Sequence, residues 1–107
     1  MILYEFENAE IKIWMRVYFD PQNQLKFEGY DIGKRVNELL GDSDYEYFYT
    51  VEAEEVKKLA KLFNVSATNK EAILRAIKKR FHNNDAYSKF GQYMKENEIK
   101  FSQFTWS

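Results

Sequence analysis

The feature that most constrains this chain is a change of hydrophobic period at Glu52. Before it, apolar and polar side chains alternate; after it, apolar residues recur at i, i+3, i+4 and i+7. Alternation puts successive side chains on opposite faces of a strand, whereas the longer spacing lays one stripe along a helix. A chain that does both in separate blocks builds an α+β domain. Its helices collect on one face of a mostly antiparallel sheet.

In "EIKIWMRVYF", Ile11, Ile13, Met15, Val17 and Phe19 share one face, and Lys12, Trp14, Arg16 and Tyr18 share the other. Residues 2–7 alternate in the same way, and Asn8-Ala9 between the two runs reads as a tight hairpin turn. Asp20-Pro21 opens a second turn, where Pro fixes φ and Asn23 tolerates the third corner. "LKFEGYDI" then alternates again, completing a three-stranded meander. "GKRVNELLGDSD" reads as a short helix ended by Gly41, and "YEYFYTV" (residues 45–51) as a fourth strand.

The second block is helical. Val56, Leu59, Ala60 and Phe63 form one stripe, with acids in the first turn and lysines later, as the helix dipole favours. A second helix has Ile73, Ile77 and Phe81 on one side. Thr68 or Asn69 can cap it, Thr68 with Glu71 as a capping box. Residues 85–98 give a third, with Ala86, Phe90 and Met94 inward and Tyr87 and Tyr93 at its boundary. In the closing "IKFSQFTWS", Ile99 and Phe101 are expected on one face of a last strand, Phe104 and Trp106 on the other. The order reads β-β-β-α-β-α-α-α-β, a five-stranded sheet in one domain spanning residues 1–107.

Nineteen of the 107 residues are aromatic, more rings than a core of this size can enclose completely. Some must lie at the surface. Within "DSDYEYFY" alone, three acids and four aromatics occupy eight positions. Phe48 and Thr50 point one way, and Tyr45, Tyr47 and Tyr49 the other. One ring set from this strand, with Trp14, Tyr18, Phe104 and Trp106, would make an exposed aromatic face. The expected partner-binding set is Trp14, Tyr18, Tyr45, Tyr47, Tyr49, Phe104 and Trp106, rimmed by Asp42, Asp44 and Glu46. The bland alternative is that these tyrosines pack across strands with only their polar tips wet.

Charge is unevenly spread. Residues 1–55 hold thirteen acids and five bases, residues 56–80 eight bases and one acid, and the net charge is −1. The acids beside the aromatic candidates suit a basic protein partner. A self-complementary aromatic face would instead suit a homodimer. The basic helix offers a nucleic-acid reading through Lys70, Arg75, Lys78, Lys79 and Arg80. Against it stand the overall acidity and the ordinary role of such charges as the wet side of a helix.

Catalytic chemistry has little to stand on. There is no cysteine, which removes disulfides, thiolate ligands and cysteine nucleophiles. His82 is the sole histidine, expected at a helix end or in solvent, so a transition-metal site is not expected. "DPQNQLKFEGYD" lacks the regular carboxylates of a calcium loop, and no glycine-rich phosphate loop is present. Asp42, Asp44 and Glu46 offer oxygen ligands, but Asp42 reads as a turn residue. A carboxylate pair for acid–base work has no favoured spacing. The expectation is a non-enzymatic protein without cofactor or metal. "MILYEFENAEIKIW" lacks the pattern of a secretory signal, and no apolar run is long enough for a membrane span, which reads as cytoplasmic.

"GDSDYEYFYTV", "AILRAIKKRF" and "YMKENEIKFSQFTWS" together resemble a group of small bacterial proteins of similar length. These carry a G-D-S-D-Y-E-Y strand and a C-terminal F-x-x-W strand. The resemblance covers roughly residues 39–107. It implies a fold and a bacterial source, and in general character a likeness to immunity proteins that neutralise toxins. No catalytic residue comes with it.

Overall fold

The computed structural model describes residues 1–33 and 44–106. Five strands form one sheet: β1 (Ile2–Glu7), β2 (Ile11–Phe19), β3 (Leu25–Gly33), β4 (Asp44–Val51) and β5 (Ser102–Trp106). Three helices, α1 (Ala53–Phe63), α2 (Lys70–Arg80) and α3 (Ala86–Glu96), come between β4 and β5. Strand order in space follows the chain, β1-β2-β3-β4-β5, with every neighbouring pair antiparallel. This is the α+β architecture expected. The short helix read into residues 33–44 falls mostly outside the described residues.

Local chemistry accounts for the turns. Asn8 N–H donates to Ile11 O at 2.9 Å, and Asn8 Oδ1 accepts from the N–H groups of Glu10 and Ile11, so the loop residues of the first hairpin are Ala9 and Glu10. In the second hairpin, Asp20 Oδ1 accepts from Gln22 and Gln24 N–H at 2.9 Å. Asn23 takes the left-handed conformation there, at φ 64°. Such a residue after a type I turn matches the twist of the flanking strands. Asn69, not Thr68, caps α2, its Oδ1 accepting from Ala72 N–H at 3.1 Å. Asn64 ends α1 with φ 58° and returns its N–H to Ala60 and Lys61 carbonyls.

The core lies between one sheet face and the helices. Met15, Val17, Leu25, Phe27 and Val51 come from the sheet; Val56, Leu59, Ile73, Ile77, Phe90 and Met94 come from the helices. The ring of Phe27 stacks on Phe90 at 5.5 Å, and Tyr49 stacks on Tyr87 at 4.0 Å with the planes 6° apart. Tyr47 and Tyr49 belong to this core, only 5% and 4% exposed. They are therefore part of the core and not, as the strand pattern suggests, of an exposed partner-binding face.

Two glycines make that burial possible. A Cβ on Gly29 would stand 1.7 Å from Tyr47 Cε2, so the ring lies across bare backbone of the neighbouring strand. A Cβ on Gly91 in α3 would meet the Tyr49 hydroxyl at 2.0 Å. Tyr47 also donates to Asp31 Oδ1 at 2.8 Å, and Tyr87 to Phe48 O at 3.2 Å. Burial, then the bond to Asp31, pushes the Tyr47 hydroxyl far above its ordinary value. A tyrosine held this way is a neutral structural group at any physiological pH.

Candidate functional site

The helices cover one face of the sheet and leave the other open. Register sets what meets there. One row across the strands reads Glu5, Trp14, Tyr30, Glu46, Trp106; the next reads Arg16, Glu28, Phe48, Phe104. Residues in such rows are direct cross-strand neighbours, close enough for rings to touch. Trp14 stacks on Tyr30 at 5.8 Å, Phe48 meets Phe104 at 6.2 Å, and Phe104 meets Trp106 edge-on at 5.9 Å. Phe104 and Trp106 are 56% and 64% exposed. Among the described residues, no helix packs on this face.

The open face therefore gathers Trp14, Tyr18, Asp44, Glu46, Phe104 and Trp106 from the expected set. It adds Tyr30 and Phe48, which the expected set left out. Tyr47 and Tyr49 lie on the opposite face. Tyr45 is 42% exposed but shares their side of β4, its ring 5.6 Å from Tyr47. Asp42 lies outside the described residues. The alternation along β4 is as the sequence reads, but the helices cover the tyrosine side and leave Phe48 on the open one. Phe48 aligns with Phe104 across β4 and β5, and Tyr47 aligns with Gly29 across β3 and β4. Gly29 inside β3 marks in the sequence a site of close approach, but that Tyr47 is what lies over it follows only from the register.

Polar groups tie parts of the face together. Arg16 Nε donates to Glu28 Oε2 at 2.7 Å, and Tyr18 OH donates to Glu28 Oε1 at 2.7 Å. Burial and that bond push the Tyr18 hydroxyl up to about 12. The hydrogen bond to Glu28 likewise raises the Arg16 guanidinium. Tyr30 donates to Asp44 Oδ2 at 2.8 Å.

The basic helix sits on the other layer, and much of its charge is engaged. Lys70 donates to Asn23 Oδ1 and lies over the Phe19 ring. Arg75 pairs with Glu71 at 2.6 Å, both well exposed. Arg80 lies 4.8 Å over Phe63 and donates to Tyr93 OH at 3.2 Å. Lys78 and Lys79 remain exposed in the last turn, where they complement the helix dipole. His82 Nδ1 bonds Lys78 O at 2.8 Å and serves the end of α2.

Among the described residues, no three His, Cys, Asp or Glu side chains cluster as metal ligands, and no helix is long and apolar enough to cross a membrane. In comparison with known proteins, the chain matches no family model, no curated protein and no solved structure. Its closing aromatics, Phe104 and Trp106, stand two residues apart. That spacing matters physically. Two residues apart, both rings share a strand face; three apart, they would part.

Proposed function

We propose that this is a non-enzymatic protein-binding domain that works through its open aromatic sheet face. The form we favour is an inhibitor of the immunity type, acting in a bacterial cytoplasm on a basic protein partner. The observation that carries the reading is the continuous run of half-buried Trp14, Tyr30 and Phe48 into exposed Phe104 and Trp106, ending in a tryptophan 64% exposed. Large amphipathic rings are the usual anchors of protein interfaces, and a contiguous exposed patch of them is uncommon on a monomer. Acids on the same face, Glu5, Asp44 and Glu46, would steer a basic partner.

Self-association is the second reading, favoured by the edge of β5. Ser102–Trp106 carries no charge, no proline and no bulge. β1, at the other edge, has a register shift between Ile2 and Tyr4 and carries Glu5 and Glu7. Uncharged regular edges are the ones that pair. Nucleic-acid binding through Lys70–Arg80 is the weaker alternative, since three of those five bases already have intramolecular partners.

The test is capture of a partner from the native host by wild type, Trp106→Ala and Lys78→Ala/Lys79→Ala, with solution mass measured at low and high salt. We expect a salt-resistant protein partner that is lost in Trp106→Ala and kept in the lysine variant. A concentration-dependent dimer abolished by Trp106→Ala would move the reading to self-association. Steeply salt-dependent nucleic acid, lost only in the lysine variant, would overturn it.

A further inference from the structure

The open face already contains one complete recognition unit for a guanidinium, built for a residue of its own. Arg16 bonds Glu28 at 2.7 Å, and its guanidinium carbon lies 4.9 Å from the Tyr18 ring centre and 5.6 Å from that of Trp14. With Tyr18 on its other oxygen, both carboxylate oxygens of Glu28 accept a hydrogen bond. Carboxylate, rings and cation form a closed set.

One strand further on, the arrangement recurs with a member missing. Glu46 stands on β4 directly between Tyr30 on β3 and Trp106 on β5, with Phe48 next on the same face. A depression of about 310 Å³ opens there, lined by Trp14, Glu28, Tyr30, Glu46 and Phe48. Tyr30 hydrogen-bonds Asp44 rather than Glu46. Among the described residues, no Lys or Arg pairs with Glu46 and no side chain donates to it. A half-buried carboxylate among rings, uncompensated, is an electrostatic vacancy for one cation.

We infer that Glu46, with Tyr30, Phe48 and Trp106, is the subsite for an arginine side chain of the protein partner. This deepens the proposed function and rests on it. A guanidinium fits better than an ammonium because it is flat. It can stack on Trp or Tyr faces while its edge donates to the carboxylate, as Arg16 does beside it. The Glu46 carboxylate, without an ion-pair partner among the described residues, then selects the partner's cation, and the rings hold it.

The test is a titration of the isotope-labelled protein with N-acetyl-arginine amide, reading the backbone amides of β4 and β5 and the indole N–H signals of Trp14 and Trp106. N-acetyl-citrulline amide, a neutral relative of similar shape, and N-acetyl-lysine amide are run beside it. We expect saturable shifts centred on Glu46 and Trp106 with the arginine compound, little with citrulline, and binding weakened about tenfold in Glu46→Gln. Equal response to citrulline, equal binding by Glu46→Gln, or no saturable shift would each overturn the subsite. Lysine binding as tightly as arginine would overturn the guanidinium assignment. The citrulline comparison needs only wild-type protein, so it stands even if the variant folds poorly. No partner enters this titration, so it can fail while Trp106-dependent capture succeeds, and the reverse.

Discussion

Along β4, neighbouring rings have opposite fates. Tyr47 and Tyr49 are closed into the core at 5% and 4% exposure, whereas Phe48 between them faces away from the helices, against a Phe104 that is 56% exposed. The less polar ring is on the more open side. Residue type did not decide this. The covered face has room for tyrosines because Gly29 and Gly91 remove side chains where the rings and a hydroxyl must go, and because Asp31 accepts the Tyr47 hydroxyl's hydrogen bond. Among the described residues no layer opposes the open face, so its rings can satisfy one another only in part. Burial on one side makes stability; its incompleteness on the other leaves aromatic surface in solvent.

The sharpest way to break this contrast is to truncate one large ring on each side. Phe90→Ala, in the fully buried stack on Phe27, should lose about 3–5 kcal/mol in urea unfolding. Trp106→Ala should change stability by about 0.5 kcal/mol or less, as exposed sites do. Comparable losses would mean that the open face is structural and that its rings are no evidence for a partner.

A smaller effect is expected where the covered face was given its room. Gly29→Ala would drive a methyl into the Tyr47 ring, which is held by Asp31 and by an edge contact to Tyr87 at 4.6 Å. We expect a loss of about 1–3 kcal/mol. Combining it with Tyr47→Leu should recover part of that loss, since the two changes share one space. Simple additivity would show that Gly29 does not act through that ring.

The smallest effect concerns pH, and here two carboxylates oppose each other. Glu55 is lowered by the Lys100 backbone N–H and then by Lys58. Its folded value lies below its unfolded one, so its stabilisation is present above the unfolded value and lost as pH falls through the folded one. Asp31 is raised, chiefly by burial, with the Tyr47 bond opposing. Its contribution therefore declines as pH rises from the ordinary carboxylate value through its own. In unfolding measured from about pH 3 to pH 6, Glu55→Gln should flatten the rise in stability with pH, and Asp31→Asn should steepen it. Slopes moving together would reject these assignments.

Much of the fold was legible in the chain itself. Alternation from Ile11 to Phe19, the Asp20–Gln24 turn and the stripes Val56–Phe63 and Ile73–Phe81 are local patterns, and local patterns report periodicity and turn chemistry directly. They also separate the two faces of each strand. Which face of β4 the helices would cover is a different matter. It depends on the β3–β4 register that seats Tyr47 on Gly29, on α3 bringing Gly91 under Tyr49, and on the return of β5 beside β4. Those are contacts between residues far apart in the chain. The strand pattern around Tyr45 to Tyr49 is aromatic on both sides and so carries no hydrophobic contrast to set its direction. Sequence alone determined that this protein has a two-faced sheet with more rings than its core can hold. Only the tertiary structure decided which rings were left outside, because helix packing and the space above glycines are set by where distant segments meet.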